Sequence, residues 1–134
     1  MKIVFDTNVI LSAFITHGLS TRVLDICIDY HQLFISEFIY NEVVEKLKHK
    51  FKIKTAQIKK VKKFLENSFT FIKPESEIPS LCRDKDDNNI LQLADYINAH
   101  IIITGDKDLL DLKLFKKIEI ITPRQFMENY YKIH

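Results

Sequence analysis

At 134 residues the chain has the common length of one domain, and 46% hydrophobic residues are enough to fill one core. A formal charge of +2 is too small to announce a nucleic-acid partner by itself. No apolar stretch fits a membrane span or a signal peptide, because the start reaches an acid, Asp6, after only three apolar residues. The two cysteines, Cys27 and Cys82, make no metal-binding spacing and read as buried free thiols of a reducing cytoplasm.

In chain order, short Ile-, Val- and Phe-rich runs predict strands at residues 3–5, 33–35, 69–72, 101–103 and 118–121. Between them, helical spacing of apolar residues predicts helices at 8–16, 20–31, 37–50, 55–67 and 87–99. A last helix opens at Thr122 with a cap hydroxyl, an N1 proline (Pro123) and a capping-box partner (Gln125). Residues 74–86, with Pro74, Pro79 and mixed charges, are the one clear irregular stretch. Strands that are apolar throughout and alternate with helices predict one α/β domain over residues 1–134, with a mostly parallel sheet covered on both faces.

In such a sheet, strands end and the following helices begin at one edge, where ligands bind. Four acids fall there. Asp6 follows the first strand directly, and Asp106 follows Ile101-Ile102-Ile103-Thr104-Gly105, whose glycine permits a tight turn. Asp87 opens the helix leading into the fourth strand, and Glu42 lies in the second turn of the helix after the second strand. Helical phase sets two of them apart from solvated charges. Asp87 continues the stripe of Ile90, Leu91 and Ala94, and Glu42 shares a face with Phe38 and Ile39. Glu45 falls instead on a face with Asn41, Lys48 and His49 and reads as an ordinary surface residue. Any one of these acids has a bland explanation as a turn former, a helix-dipole partner or half of an ion pair. Together they repel unless a cation neutralises them, and oxygen-only ligation suits Mg²⁺ or Mn²⁺.

Residues 46–63 hold nine lysines, a histidine and no acid. Lys46, Lys48, Lys50, Lys52 and Lys54 lead this run, which reads either as a surface for backbone phosphates or as a solvated helical face. Other catalytic arrangements find little support. Gly18 and Gly105 are the only glycines, which excludes a glycine-rich phosphate loop; there is no Gly-x-Ser-x-Gly elbow, and the five histidines are scattered.

The segments Phe5-Asp6-Thr7-Asn8-Val9, Ser36 through Glu42, Asp84-Lys85-Asp86-Asp87 and Thr104-Gly105-Asp106-Lys107-Asp108-Leu109-Leu110 resemble the PIN-domain family, in order and over essentially the whole chain. The likeness is nearest to the stand-alone, VapC-like toxin components of toxin–antitoxin pairs. It implies a Rossmann-like three-layer α/β/α sandwich and metal-dependent endoribonuclease activity. By position the family's acids match Asp6, Glu42, Asp87 and Asp106. Asn8 and Thr104 match supporting polar residues, Asp108 either assists or caps the short helix that follows, and Asp84 and Asp86 are second choices.

On this reading Asp6, Asp87 and Asp106 hold one Mg²⁺ or Mn²⁺, while Glu42 helps bind a second ion or positions the attacking water. The lysines grip flanking phosphates, and Phe51, Tyr40 or Tyr96 are candidates to stack on an unpaired base. The resemblance also implies products with 5′-phosphate and 3′-hydroxyl ends, a small antitoxin partner and a homodimer or higher oligomer. Apolar residues of 126–133 would bury against the sheet or against a second subunit. Two rivals compete. A haloacid-dehalogenase-like phosphatase would use Asp6 as nucleophile, but has Asn8 where its acid/base aspartate belongs and leaves Glu42 unexplained. A non-catalytic RNA-binding module on the same fold would bind through the lysines without metal.

Overall fold

A computed structural model describes residues 1–131. Strand β1 (Lys2–Phe5) is its centre. Ile3, Val4 and Phe5 point alternately to the two faces, yet all are at most 1% exposed, so both faces of the sheet are covered here. The same holds for β4 (Ile101–Ile103). Helices α1 (Thr7–Ile15) and α2 (Leu19–Tyr30) lead to β2 (Gln32–Ser36), and α3 (Glu37–His49) and α4 (Thr55–Ser68) lead to β3 (Thr70–Ile72). A long connection and α5 (Lys85–Tyr96) return the chain to β4. Helix α6 (Lys107–Leu112), the hairpin of β5 (Leu114–Phe115) and β6 (Ile118–Ile121), and α7 (Pro123–Tyr130) complete it.

The strand order is β3-β2-β1-β4-β6-β5, with every pairing parallel except β5 with β6. The chain winds outward from β1 through β2 to β3, then restarts on the other side of β1 at β4. The topological switch point therefore lies between β1 and β4. Register is set by the pairs Ile3 with Ile101, Val4 with Ile102 and Phe5 with Ile103. With α2 and α3 on β2, α5 on β1 and α6 on β6, this is the expected α/β/α sandwich with a mostly parallel sheet.

The five expected strands and the six expected helices are present, with no end shifted by more than three residues. The capping box on α7 forms as read, with Thr122 Oγ1 accepting from Gln125 and Gln125 Oε1 accepting from the Thr122 N–H. Three features differ. Helix α5 starts at Lys85, because Asp84 caps it by accepting from the Asp86 N–H at 2.9 Å, so Asp87 sits in its first turn without opening it. It ends at Tyr96, ahead of residue 99, because Asn98 takes a left-handed conformation (φ 55°) and the Ala99 N–H turns back to the Ala94 carbonyl. Strand β5 is an antiparallel edge piece of two residues, too short to leave a periodic signal; Lys113 (φ 61°) and Lys116 (φ 56°) bracket it.

Cys27 is buried and Cys82 half-buried, and both are free thiols. Phe126 is fully buried in this chain's own core, edge-on to the His31 ring, while Ile133 of the same predicted apolar segment lies outside the described residues. Among the described residues no single helix is long and apolar enough to cross a membrane.

Candidate active site

Asp6 and Thr104 are the first residues beyond the paired ends of β1 and β4. The Asp6 N–H donates to the Ile103 carbonyl (2.9 Å) and the Thr104 N–H to that of Ile121 (3.0 Å), so the ladder runs on to the switch point. Asp6 is the N-cap of α1, its Oδ1 accepting a long bond from the Asn8 N–H (3.4 Å). Its Oδ2 accepts from Thr104 Oγ1 at 2.7 Å. The same Thr104 oxygen accepts from the Asp106 N–H at 2.9 Å. Thr104 is thus a buried clasp between the two strand ends. Asp106 caps α6, its Oδ2 accepting from the Leu109 N–H at 3.1 Å. The capping role left open for Asp108 therefore belongs to Asp106.

Asp87, on the first turn of α5, is only 5% exposed, and its Oδ2 has no hydrogen-bond partner among the described residues. Carboxylate oxygens of Asp87, Asp106 and Asp108 lie within 4.8 Å of one another. Ionised carboxylates are acceptors only, so a proton or a cation must stand between oxygens that face each other. Burial, and then the Asp106 carboxyl beside it, pushes Asp87 up to about 8. Burial also raises Asp6, against the lowering effect of the Thr104 hydroxyl.

Glu42 stands across the same edge on α3, half-buried, with Asp86 and Thr7 as its neighbours. Burial, and then Asp86, raises it to about 7. Thr7 Oγ1 is buried, has no hydrogen-bond partner in good geometry among the described residues, and acts to lower Glu42 against those effects. The oxygens that approach one another belong to Asp87, Asp106 and Asp108, so Asp108 stands where Asp6 was expected. Asp6 lies beside this group, tied to Asp106 through Thr104, and Glu42 stands with Asp86. Asp108 and Asp86 were both visible in the sequence as secondary candidates.

Of the supporting residues, Thr104 clasps Asp6 as described. Asn8 contributes its backbone to Asp6, while its exposed side chain lines a groove of roughly 400 Å³ with Ser12, Ser20, Asp106 and Lys107. A larger depression, about 710 Å³, opens at the opposite edge near Met1, His100 and Ile101 and contains none of the clustered acids. Of the five lysines, Lys46 is half-buried one turn after Glu42, and its charge reaches both Glu42 and Asp6. Lys48, Lys50, Lys52 and Lys54 are exposed at the far end of α3 and beyond it.

Asn88 was not legible as a site residue. It is buried, and its side-chain amide accepts from the Cys82 N–H (2.9 Å) and donates to the Cys82 carbonyl (3.0 Å). These two bonds fix the irregular segment that carries Arg83 and Asp84 to the site. An asparagine at a helix start is too common a sight to have marked it.

A doubly wound α/β fold with an oxygen-only acidic site at its switch point defines the class. The sequence matches the PIN-domain family over residues 2–108. It is 30% identical to the uncharacterized protein MJ1680 of Methanocaldococcus jannaschii over 146 aligned residues, which take in 98% of this chain and 93% of that protein. In fold it is similar to a chain in the crystal structure of VapBC2 from Rickettsia felis bound to a DNA fragment from their promoter. The TM-score is 0.65 at 14% identity, covering 91% of this chain and 98% of the other. The chain belongs to the PIN-domain family, a family of nucleases.

Proposed function

We propose that this chain is a divalent-metal-dependent endoribonuclease, built as a single PIN-like domain over residues 1–134. The observation that carries this reading is the buried Asp87 Oδ2, unpartnered among the described residues and grouped with Asp106 and Asp108. A buried acceptor without a donor is costly, and an added cation would satisfy it. The donor set is all oxygen, which fits Mg²⁺ or Mn²⁺. Asp6, Asp87 and Asp106 would hold the ion, with Asp108 and Glu42 completing its surroundings. A divalent ion held there supplies charge neutralisation at the scissile phosphate and acidifies the attacking water.

The chain's own residues do the rest. Thr104, donating to Asp6 Oδ2, would fix the orientation of that carboxylate beside the ion. Glu42, raised towards neutrality, is placed to accept a proton from the attacking water, beside Asp86. Lys46, with Lys48, Lys50, Lys52 and Lys54 further along the same surface, grips backbone phosphates of single-stranded RNA.

The likeness in fold to the Rickettsia felis VapBC2 structure supports a toxin role with an antitoxin as partner; on this reading the protein acts in the cytoplasm, as a homodimer or higher oligomer. The family match supports a nuclease over a phosphatase, and the retained acids support catalysis over metal-free RNA binding.

The test is cleavage of end-labelled single-stranded RNA in Mn²⁺, Mg²⁺ or EDTA, beside Asp6→Ala and Asp106→Asn. Cleavage that needs metal and is lost in both variants is the expected result. RNA binding without cleavage, in a folded protein that binds Mn²⁺, would leave the binding module standing. Hydrolysis of a small phosphomonoester would favour the phosphatase.

A further inference from the structure

Arg83 lies at the rim of the acidic group, and its side chain is 90% exposed. One nitrogen, Nη2, contacts both oxygens of Asp108, at 3.2 and 3.4 Å. Asp108 belongs to the three acids whose oxygens approach within 4.8 Å. The guanidinium therefore competes for the Asp108 carboxylate with a cation at this group.

The backbone beneath Arg83 is fixed on both sides. Cys82 is pinned by its two bonds to Asn88, and Asp84 is held by capping α5. The side chain is a solvent-borne arm on a rigid base, engaged through one nitrogen, so its remaining N–H donors stay available. Exposed ion pairs of this kind are weak and open readily. A guanidinium freed beside a cation would be repelled by it and would match a phosphate oxygen pair.

We propose that Arg83 is a latch that exchanges partners: it holds Asp108 in the metal-free protein, and divalent-ion binding releases it to clamp an RNA phosphate next to the scissile one. The latch rests on the carboxylate–metal reading above. Arg83 is a positioning residue for substrate, and it couples metal loading to RNA affinity.

Two equilibrium measurements on the full chain test it, with Arg83→Ala and Arg83→Lys beside the unaltered protein. The first is Mn²⁺ affinity without RNA, by calorimetry. The second is anisotropy of a fluorescein-labelled, nuclease-resistant 2′-O-methyl phosphorothioate RNA decamer, in Mn²⁺ and in EDTA. Arg83→Ala is expected to bind Mn²⁺ about two- to fivefold tighter. It should also bind the decamer about tenfold more weakly in Mn²⁺ and equally in EDTA, a loss of about 1.4 kcal/mol. Arg83→Lys, which keeps the charge, should fall between. Unchanged or weaker Mn²⁺ binding by Arg83→Ala overturns the latch, as does an RNA loss that is absent or equal in both solutions. Failure of the unaltered protein to bind Mn²⁺ overturns the metal-site reading and the latch with it.

Discussion

Thr104 and Asp6, 98 residues apart in sequence, meet at 2.7 Å where β4 and β1 end, and the same hydroxyl accepts the Asp106 N–H. One buried oxygen thus aligns two acids that follow the ends of adjacent strands. Thr104→Val keeps the shape and removes the hydroxyl, leaving the Asp106 N–H without its acceptor and Asp6 Oδ2 without its donor. Equilibrium unfolding in urea should show a loss of about 1–3 kcal/mol. Mn²⁺ affinity should fall about 10- to 100-fold, as when an orienting partner of a ligand is removed. Thr104→Ser should recover most of both. A Thr104→Val protein with unaltered Mn²⁺ affinity would show that the clasp serves the fold alone.

Metal-free protein should lose stability as pH rises from about 4 to 8. Below the ordinary carboxyl range, Asp87 is protonated in folded and unfolded chains alike and contributes no difference. Between that range and about 8, the unfolded chain has released the proton that burial and Asp106 make the folded chain keep. Each pH unit then costs at most about 1.4 kcal/mol, and the penalty levels off above 8. Glu42 adds a penalty of the same sign that levels off near 7. Thermal unfolding in EDTA should therefore give a melting temperature that falls across this window. Added Mn²⁺ should reverse the fall, and Asp87→Asn should flatten it. A melting temperature that rises with pH in EDTA would contradict the crowding of these carboxyls.

Much of this was readable in advance because the decisive features are local. Ile3 to Phe5 and Ile101 to Ile103 are apolar without alternation because both of their faces are buried. Asp6 and Asp106 directly follow strands and cap helices, so their edge could be assigned from the chain alone. What escaped is set by contacts between distant segments. The Arg83–Asp108 pair depends on where a proline-containing connection comes to rest, which no periodicity reports. The clasp of Asp6 by Thr104 depends on parallel register, and the two residues of β5 are shorter than any pattern. Which lysine of the basic run turns towards the acids depends on the phase of α3 at its end: Lys46 lies one turn beyond Glu42, while Lys48 faces solvent.

Asn88→Ala probes the connection itself. Removing the side-chain amide frees the Cys82 N–H and carbonyl, which are only partly buried and regain water. The cost in urea unfolding should be about 1–2 kcal/mol. Hydrogen exchange should quicken at Cys82 while the amides of β1 and β4 stay protected. Uniform exchange across the molecule would mean that Asn88 supports the global fold and does not act on this segment in particular.

The basic run should divide in two when RNA binding is measured against salt. Lys48, Lys50, Lys52 and Lys54 are exposed, so each that meets a phosphate should lower the slope of log affinity against log salt by about one when changed to alanine. Their removal should leave Mn²⁺ binding unaltered, since they stand apart from the acids. Lys46 is half-buried near Glu42 and Asp6 and lowers both carboxyls. Lys46→Ala should push these two acids further up, so that Mn²⁺ binding at pH 6 to 7 releases more protons, measured by calorimetry in buffers of different ionisation enthalpy. Removing a positive charge should at the same time favour the cation at pH 9, where the acids are ionised. A crossover in Mn²⁺ affinity with pH would therefore mark Lys46 as part of the acidic site. A change in salt slope alone would place it with its neighbours as a phosphate contact.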